Sequence, residues 1–444
     1  MEWLSFIGVL IALAVFIYFA YKGYNIIFLT IIASIIVAVF GGNNPITVLN
    51  DAYAARFSGF IKSWFLIYVL SATFAKFMGE SGAARSIALK LVKLSRRFPG
   101  HEKFIAILTL PIINTILTYG GVSSLVCVFI MVGIAKDLFT ELDIPWHFYG
   151  MAALGSATYA LGALPGAPDV LNLTPTTYLG TTPMAAPGYG ILATIIMFGL
   201  SCVYLRIALK KATAAGETFL PTGAAIAADK NVGGQENVEY PLWKSILPPI
   251  VLLVVMNVLK QPVVLAMICA ILTCLVLFWK QLTAKAGIIK ACIATGVPNG
   301  AVTAALISAT VAFGAVVAAS PAYTLIVNGL DGISWMHPAW QVFITVNVCA
   351  ALTSSSTSAI GIVFGQFAER FLATGLAPAA IHRIATVTSL GLNTLPHSVG
   401  VCNAAGASKL TIGQIYKHYL WITVIFPLVS AIVLVLLACV GIVF

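Results

Sequence analysis

Apolar residues recur along the chain in runs of about 20 residues, separated by short polar segments. A helix of that length crosses the roughly 30 Å hydrocarbon core of a bilayer. Ten such runs are predicted spans, and they begin near Trp3, Ile26, Ile61, His147, Gly188, Ser245, Pro262, Pro298, Pro378 and Lys417. The pattern therefore predicts an all-α polytopic membrane protein.

Two further apolar regions, 103–136 and 338–373, are each interrupted by a polar cluster. The first cluster is TYGGVSS at 118–124, and the second is TSSSTS at 353–358. Paired glycines and runs of hydroxyl residues are unfavourable in the middle of a helix, whereas the tip of a re-entrant hairpin accommodates them. Non-helical backbone at membrane depth is tolerated only where it lines a protein cavity. We therefore predict two re-entrant hairpins whose tips face a cavity.

Each predicted hairpin is followed by a span that contains a Leu-Pro pair, at 162–172 and at 391–400. Each half of the chain is thus expected to contain three spans, a hairpin, a broken span and a last span. We expect a first half over 1–210, a linker over 211–244 and a second half over 245–444. The linker is rich in Ala, Gly, Asn and Glu and has little apolar surface to bury, so it is predicted to be a flexible loop.

The distribution of Lys and Arg residues predicts how this arrangement is oriented in the membrane. Five full spans per half is an odd number, so the second half is expected to be inverted relative to the first. If the 206–244 loop is cytoplasmic, most of the 24 Lys and Arg residues lie on the cytoplasmic side. The exceptions are Arg56, Lys62, Lys260, Arg370 and Arg383. The positive-inside rule then predicts that both termini lie outside the plasma (inner) membrane, with the two tips meeting near its midplane.

Composition supports a membrane protein and excludes several other classes. The chain is 60% hydrophobic and only 9% charged, whereas soluble domains carry about a quarter charged residues. A net charge of +10 fits basic loops, so no nucleic-acid partner is expected. The eight cysteines stand singly in or beside apolar segments, which predicts free thiols and no disulfide, metal site or cofactor. The first apolar run lacks a basic flank and a cleavage site, so it is interpreted as a retained helix.

The two polar clusters have the chemistry of an anion site. Ser and Thr are favourable N-caps, so each cluster is expected to begin a half-helix whose N–H groups point into the cavity. A helix N-terminus carries a partial positive charge and binds carboxylates through backbone donors. The predicted substrate-binding residues at the tips are Gly120, Gly121, Val122, Ser123, Ser124, Ser354, Ser355, Ser356, Thr357 and Ser358. Close helix packing through small residues is the alternative explanation of each cluster.

The broken spans add polar side chains at a similar depth. Those predicted to complete the substrate site are Asn393, Thr394 and His397. Imidazole titrates near neutral pH, so His397 is the first candidate for proton coupling, and a neutral histidine hydrogen-bonded across the break is the alternative. Asp169 is the second candidate, with a hydrated position at the outer mouth as its alternative. Arg383 is expected to extend to the outer surface or to pair with Glu369.

Three stretches resemble the gluconate permease family of proton symporters, part of the wider ion-transporter superfamily. They are SGFIKSWFLIYVLSATFAKFMGESGAARSIA at 58–88, ALPGAPDVLNLTPTTYLGTTPMAAP at 163–187 and LNTLPHSVG at 392–400. The resemblance covers nearly the whole chain. It implies a homodimer in which a scaffold domain supports an elevator-like transport domain that holds both hairpins. It also implies proton-coupled uptake of gluconate or a short hydroxy or keto acid, bound at the two tips and the Leu-Pro-His break.

The residues leave other functions open. Hydroxyls and unwound carbonyls suit Na⁺ as well as they suit a carboxylate, so a sodium-coupled symporter of a carboxylate or sulfonate is one alternative. An anion channel would use the same cavity without alternating access. A membrane enzyme would need a nucleophile with a base or a metal cluster, and neither HExxH nor a paired-aspartate motif occurs. The prediction is accordingly a secondary transporter of a small organic acid anion and not an enzyme.

Overall fold

The computed structural model describes residues 2–22, 24–119, 124–167, 169–229, 239–259, 261–284, 287–333 and 335–444. Within these ranges the regular structure is helical and no β-strand occurs. The prediction of an all-α protein is therefore confirmed.

The described residues of the first half form ten α-helices. Their bounds are α1 (Glu2–Tyr21), α2 (Ile26–Phe40), α3 (Pro45–Val48), α4 (Ala55–Glu80), α5 (Ala83–Ser95), α6 (Glu102–Tyr119), α7 (Ser124–Glu141), α8 (Ala153–Ser156), α9 (Val170–Leu179) and α10 (Pro187–Ala214). Single 3-10 or π-helical turns join some of them, over Leu49–Ala54, Trp146–Ala152 and Tyr159–Ala163.

The linker contributes one short helix, and the second half contributes the rest. The bounds are α11 (Ala224–Ala228), α12 (Leu242–Leu253), α13 (Val263–Leu277), α14 (Trp279–Thr283), α15 (Ile288–Ala318), α16 (Pro321–Asp331), α17 (Pro338–Thr353), α18 (Ser356–Ala373), α19 (Pro378–Ser389), α20 (Val399–Ser408), α21 (Ile412–Tyr419) and α22 (Phe426–Cys439). The 3-10 or π-helical turns here are Val254–Val258, Leu392–Thr394 and Leu420–Ile425.

Six described helical stretches are long and apolar enough to cross a membrane. They are Glu2–Ala20, Pro45–Glu80, Glu102–Tyr119, Pro187–Ala214, Ile288–Ala318 and Ile412–Cys439. The helices α2, α12, α13 and α17 are apolar but shorter. The two spans that were predicted to break at a Leu-Pro pair are indeed not continuous helices. The segment that begins near His147 is broken into 3-10, α and π turns, and α19 ends at Ser389, ahead of the second Leu-Pro pair.

The helices α4 and α15, one from each half, pack along each other and form the central pair of the fold. Small residues permit this approach. A Cβ at Gly296 would lie 2.6 Å from Cα of Thr73, and one at Gly300 would lie 2.5 Å from Cα of Val69. Close contact through glycine is a common way for helices to associate in membranes. On the flanks of the pair, α2 packs on α15 and α13 packs on α4.

Helices at the same place in the predicted order of each half make similar contacts. The helix α1 packs on α16, as α12 packs on α5. The first helix of each interrupted region stays with its own half: α6 packs on α8, and α17 packs on α19. The second helix contacts its own half and the other half as well: α7 packs on α20, and α18 packs on α9. In each half, the second helix of the interrupted region therefore contacts the broken span of the other half.

The flanks of the linker are docked on the helices, which differs from the predicted flexible loop. Phe219 and Tyr240 are both buried. The backbone N–H of Phe219 donates to Oδ1 of Asp143 at 2.9 Å, and the Tyr240 hydroxyl donates to the carbonyl of Ser81 at 3.0 Å. Two aromatic anchors thus hold a segment whose average composition is polar. Residues 230–238 lie outside the described residues.

Candidate functional site

The second hairpin changes direction at its serine cluster. The helix α17 ends at Thr353, Ser354 is left-handed with a φ of 52°, and Ser355 is extended. The Ser355 hydroxyl accepts a hydrogen bond from the backbone N–H of Ser358 at 3.3 Å and so caps α18. A hydroxyl cap of this kind favours the start of a helix. The cluster therefore ends one helix and begins the next, and the first N–H groups of α18 lie at the tip.

Two of the predicted substrate residues meet at this tip. The side-chain amide of Asn393 donates to Oγ of Ser356, and that hydroxyl in turn donates to the carbonyl of Ser389 at 2.9 Å. These bonds join the hairpin tip to the second broken span. Beside them, Thr357 is exposed and Ser358 is half-buried, so one side of the tip is accessible.

The second broken span consists of α19, the turn Leu392–Thr394 and α20, which Ser398 caps. Thr394 is a predicted substrate residue, but its hydroxyl faces two carbonyls inside the protein. It lies 3.2 Å from the carbonyl oxygen of Gly391 and 3.0 Å from that of Thr423. Thr394 therefore stabilises the shape of the break.

His397 is buried inside the break, with 1% of its surface exposed. Its ring meets Phe16 edge to face, with 6.2 Å between the centroids. Among the described residues neither ring nitrogen has a hydrogen-bond partner, and the backbone of Ala351 interacts with the ring outside normal hydrogen-bonding geometry. Oδ1 of Asn393 is likewise buried without a donor. Because buried polar atoms are normally partnered, such atoms are where a bound ligand or water is expected.

The first hairpin is described only in part. Gly120, Gly121, Val122 and Ser123 lie outside the described residues, and α7 begins at Ser124, the last predicted residue of that tip. Ser124 lines a cavity of about 30 Å³, which is close to the volume of one water molecule. This small cavity is also lined by Asn114, Ser156, Gly400 and Asn403.

The small cavity is lined by two asparagines whose amide oxygens have no donor. Nδ2 of Asn114 donates to the carbonyl of Ala152 at 2.7 Å, and Nδ2 of Asn403 donates to the carbonyl of Leu125 at 2.9 Å. These bonds identify which end of each amide is the oxygen. Both Oδ1 atoms are buried without a partner, and no carboxylate is among the described residues that line the cavity. The cavity offers neutral oxygen atoms to a hydrogen-bond donor or to a monovalent cation.

Arg383 is fully buried, so the prediction that it reaches the outer surface or pairs with Glu369 is wrong. Its guanidinium donates to Oδ1 of Asn172 at 3.1 Å. It also donates, at 2.8 to 3.3 Å, to the backbone carbonyls of Gly162, Ala163, Pro183 and Ala185. Within the described part of the chain no carboxylate pairs with it. A second-half arginine thus holds the first broken span and the loop after it.

Asn172 and His382 complete the network around Arg383. Nδ2 of Asn172 donates to the carbonyls of Ala167 and Pro183, at 3.0 Å each. Nε2 of His382 hydrogen-bonds to Oδ1 of Asn172 at 3.1 Å, and its Nδ1 hydrogen-bonds to the hydroxyl of Thr181 at 2.8 Å. Every polar atom of these two side chains therefore has a partner, and the first break is fixed by the protein itself.

Asp169, the second candidate for proton coupling, is the N-cap of α9. Its carboxylate accepts a hydrogen bond from the backbone N–H of Leu171 at 2.8 Å, and the residue is half-buried. A carboxylate at a helix N-terminus is stabilised by the helix dipole. The geometry gives Asp169 a capping role, and its part in proton coupling stays a prediction.

A larger cavity of about 300 Å³ lies between the central helix pair and the helices α7 and α20. Small and apolar side chains line most of its wall. Its polar side chains are Lys76, Asp229, Asn299, Thr303 and Lys409. The ammonium group of Lys76 lies 2.7 Å from Glu80, and that of Lys409 lies 3.9 Å from Asp229. This larger cavity therefore runs from the two crossing helices to a charged end beside the linker.

Sequence reasoning missed Asn114, Asn403 and His382 as members of these sites. A signal for them does exist, because a polar side chain inside an apolar helix is costly in a membrane and is a functional candidate by default. Asn114 interrupts the run LPIINTIL, and Asn403 follows the Leu-Pro-His element within one turn or two. These single amides lie outside the glycine and serine clusters on which the predicted site is based.

Comparison with known proteins gives a full-length relative. No protein-family model matches the chain. The uncharacterised transporter YxjC of Bacillus subtilis (strain 168) is 27% identical over 464 residues, which cover 95% of this chain and 96% of the relative. The chain is similar to a transporter from end to end. A solved structure, the YdaH transporter of Alcanivorax borkumensis, is 16% identical and covers 89% of each chain with a TM-score of 0.39, a likeness that supports no conclusion about the fold.

Proposed function

We propose that this membrane protein is a secondary active transporter that carries a small organic acid anion together with protons. The substrate class is a gluconate-like or short hydroxy or keto carboxylate. A transporter relative aligned along the whole chain supports the general class, and six long apolar helices support the bilayer setting. We place the protein in the plasma (inner) membrane, with the 206–244 loop cytoplasmic and both termini outside.

The observation that carries the proposal is the set of unpartnered polar atoms at the second break. The two nitrogens of His397 and Oδ1 of Asn393 are buried without partners, and Asn393 is bonded to the first residue of α18. A carboxylate beside this helix N-terminus would accept from backbone N–H groups without needing a buried cation. His397 would donate to the same anion when protonated, which makes it the proposed coupling residue, with Asp169 as the second candidate.

The proposal includes a transport cycle based on two inverted halves. The reciprocal contacts of α7 with α20 and of α18 with α9 support a repeat. In this scheme the pair α4 and α15 belongs to a scaffold domain, and the hairpins and broken spans belong to an elevator-like transport domain. The larger cavity between these groups of helices would be the route between the site and the cytoplasm. The proposed assembly is a homodimer.

Sodium coupling is a second candidate because of the small cavity. Two fixed amide oxygens, from Asn114 and Asn403, are buried there without donors. Oxygen atoms without a carboxylate suit a monovalent cation better than a divalent one. Such an ion would lie beside Ser124, the first residue of α7.

Uptake into proteoliposomes, with pH and sodium gradients imposed separately, tests the proposal. We expect a labelled short hydroxy acid to accumulate when the outside is acidic and sodium is absent. Accumulation that needs sodium and ignores pH would replace proton coupling with the second candidate. Flux without saturable counterflow would indicate that the protein is an anion channel and not a transporter.

A further inference from the structure

A third cavity opens on the surface of the protein, away from both breaks. It is a groove of about 620 Å³ between the C-terminal half of α10 and the start of the last span. Its apolar lining includes Leu200, Val203, Ile207, Trp421 and Phe426. Val203, Ile207 and Trp421 are 58%, 51% and 43% exposed, so the groove is open along its length. An apolar channel of this size on a membrane helix suits an acyl chain.

The charged residues of the groove come from the ends of helices and from the loop. Lys211 lies in the last turn of α10, and Lys417 lies on α21 with 55% exposure. Glu217 is the one carboxylate in the described lining, and its Oε1 lies 4.0 Å from Nζ of Lys417. The hydrogen bond from His147 lowers the pKa of Glu217, so it stays negative at neutral pH. Two lysines against one carboxylate leave this end basic.

Along the inner wall of the groove, polar side chains form a continuous series of hydrogen bonds. His147 bonds to Glu217 through Nε2 and to His418 through Nδ1, at 2.7 Å each. His418 continues to the Tyr204 hydroxyl at 3.0 Å, and the Tyr204 ring stacks on Trp421 with centroids 5.8 Å apart. The wall satisfies its own polar atoms, so the groove has only two features to offer a ligand: apolar contact along its length and positive charge at one end.

We propose that this groove binds an anionic phospholipid. The acyl chain would lie along α10, and the phosphate would lie between Lys211 and Lys417, where basic residues beside a membrane attract acidic head groups. A protein partner is normally met by an apolar core with a polar rim all around it. Here the charge is confined to one end, which is the pattern of an amphiphile.

The test is the melting temperature of the purified full chain in detergent, titrated with phosphatidylglycerol, phosphatidylcholine or glycerol phosphate. We expect phosphatidylglycerol to raise it, phosphatidylcholine to do so only weakly and glycerol phosphate not at all. The double variant Lys211→Glu/Lys417→Glu should need about tenfold more phosphatidylglycerol for the same shift. Lys210→Glu, one residue away but outside the groove lining, should behave as the wild type.

Three results would overturn the proposal. Equal shifts with both lipids would remove the role of charge, and an equal shift with glycerol phosphate would make the site one for free anions. The third is native mass spectrometry in which the double variant changes the oligomeric mass of the delipidated protein, because a second copy would then cover the groove. If the double variant fails to fold, Lys211→Glu alone, at an exposed helix end, gives the same comparison with a smaller effect.

Discussion

Each broken span contains a Leu-Pro pair, but the two breaks differ in whether their buried polar atoms have hydrogen-bond partners. At the first break, Arg383, Asn172 and His382 bind one another and the nearby carbonyls, and no polar atom of these side chains is left over. At the second break, both nitrogens of His397 and Oδ1 of Asn393 are buried without partners. Burying an unpartnered polar atom costs about 1–3 kcal/mol. Among the described residues of the two breaks, only those of the second carry this cost.

The difference indicates that the two breaks have different roles. A saturated network resists change, because moving any member leaves several others without partners. Unpartnered atoms, by contrast, gain free energy when a ligand supplies the missing donors and acceptors. The first break is therefore interpreted as an anchor and the second as a binding site. Aligning the two Leu-Pro pairs puts Asn172 opposite Asn403, so the comparison can be tested at matched positions.

Replacing Arg383 should have the largest effect. Arg383→Met removes the guanidinium donor from four backbone carbonyls and one amide oxygen in a buried site, and we expect a loss of at least about 3 kcal/mol of stability. Thermal unfolding in detergent would show it as a large fall in melting temperature or as failure to fold. Arg383→Lys should recover part of the loss. If Arg383→Met melts at the wild-type temperature, that result would contradict the interpretation of the first break as an anchor.

A matched pair of histidine variants separates the two breaks. His397→Phe keeps a ring against Phe16 and removes two unpartnered nitrogens, so we expect the melting temperature to hold or rise. Uptake should nevertheless fall by about tenfold or more, because a charge-assisted hydrogen bond to the substrate is lost. His382→Phe breaks bonds to Asn172 and Thr181 and should lower the melting temperature. If His397→Phe lowered the melting temperature and His382→Phe reduced only uptake, the first break would be the binding site and the second the anchor.

A pair of asparagine variants gives a smaller contrast. Asn172→Ala removes bonds to two carbonyls and leaves Arg383 and His382 short of an acceptor, with an expected cost of about 2–3 kcal/mol. Asn403→Ala removes one bond, to the carbonyl of Leu125, and should cost about 1 kcal/mol. Chemical unfolding of both variants measures the difference. Equal losses would mean that Asn403 is also structural.

The smallest effect is expected far from both breaks, where the linker is held by exposed charges. Lys90 and Lys93 lie 2.8 and 2.5 Å from Glu239, and their hydrogen bonds lower its pKa from 4.5 to about 2. Because the folded pKa is depressed, this contribution is present above pH 4.5 and is lost as the pH falls toward 2. Glu239→Gln should speed proteolysis of the linker slightly at low salt, leaving uptake unchanged. The difference should vanish in about 1 M salt.

Much of the architecture follows from the hydrophobic pattern, and the serine cluster at 353–358 gives the position of the second hairpin turn. The pattern cannot show which polar atoms find partners, because those bonds join residues about 200 positions apart, as Arg383 and Ala185 do. For the same reason Thr394 resembles a substrate residue in sequence although its hydroxyl faces Thr423. Asn403 is inconspicuous in sequence, and only the bond to Leu125 shows that its oxygen is free of a donor.

The most direct test of the second break as the substrate site is uptake of labelled short hydroxy acids by reconstituted wild type and His397→Phe. His101→Phe, at an exposed position, is the control for the substitution itself. We predict saturable accumulation of at least one acid by the wild type and the control. His397→Phe should be folded by its melting temperature and nearly inactive. Accumulation of no acid by the wild type, or wild-type uptake by folded His397→Phe, would contradict the proposed function.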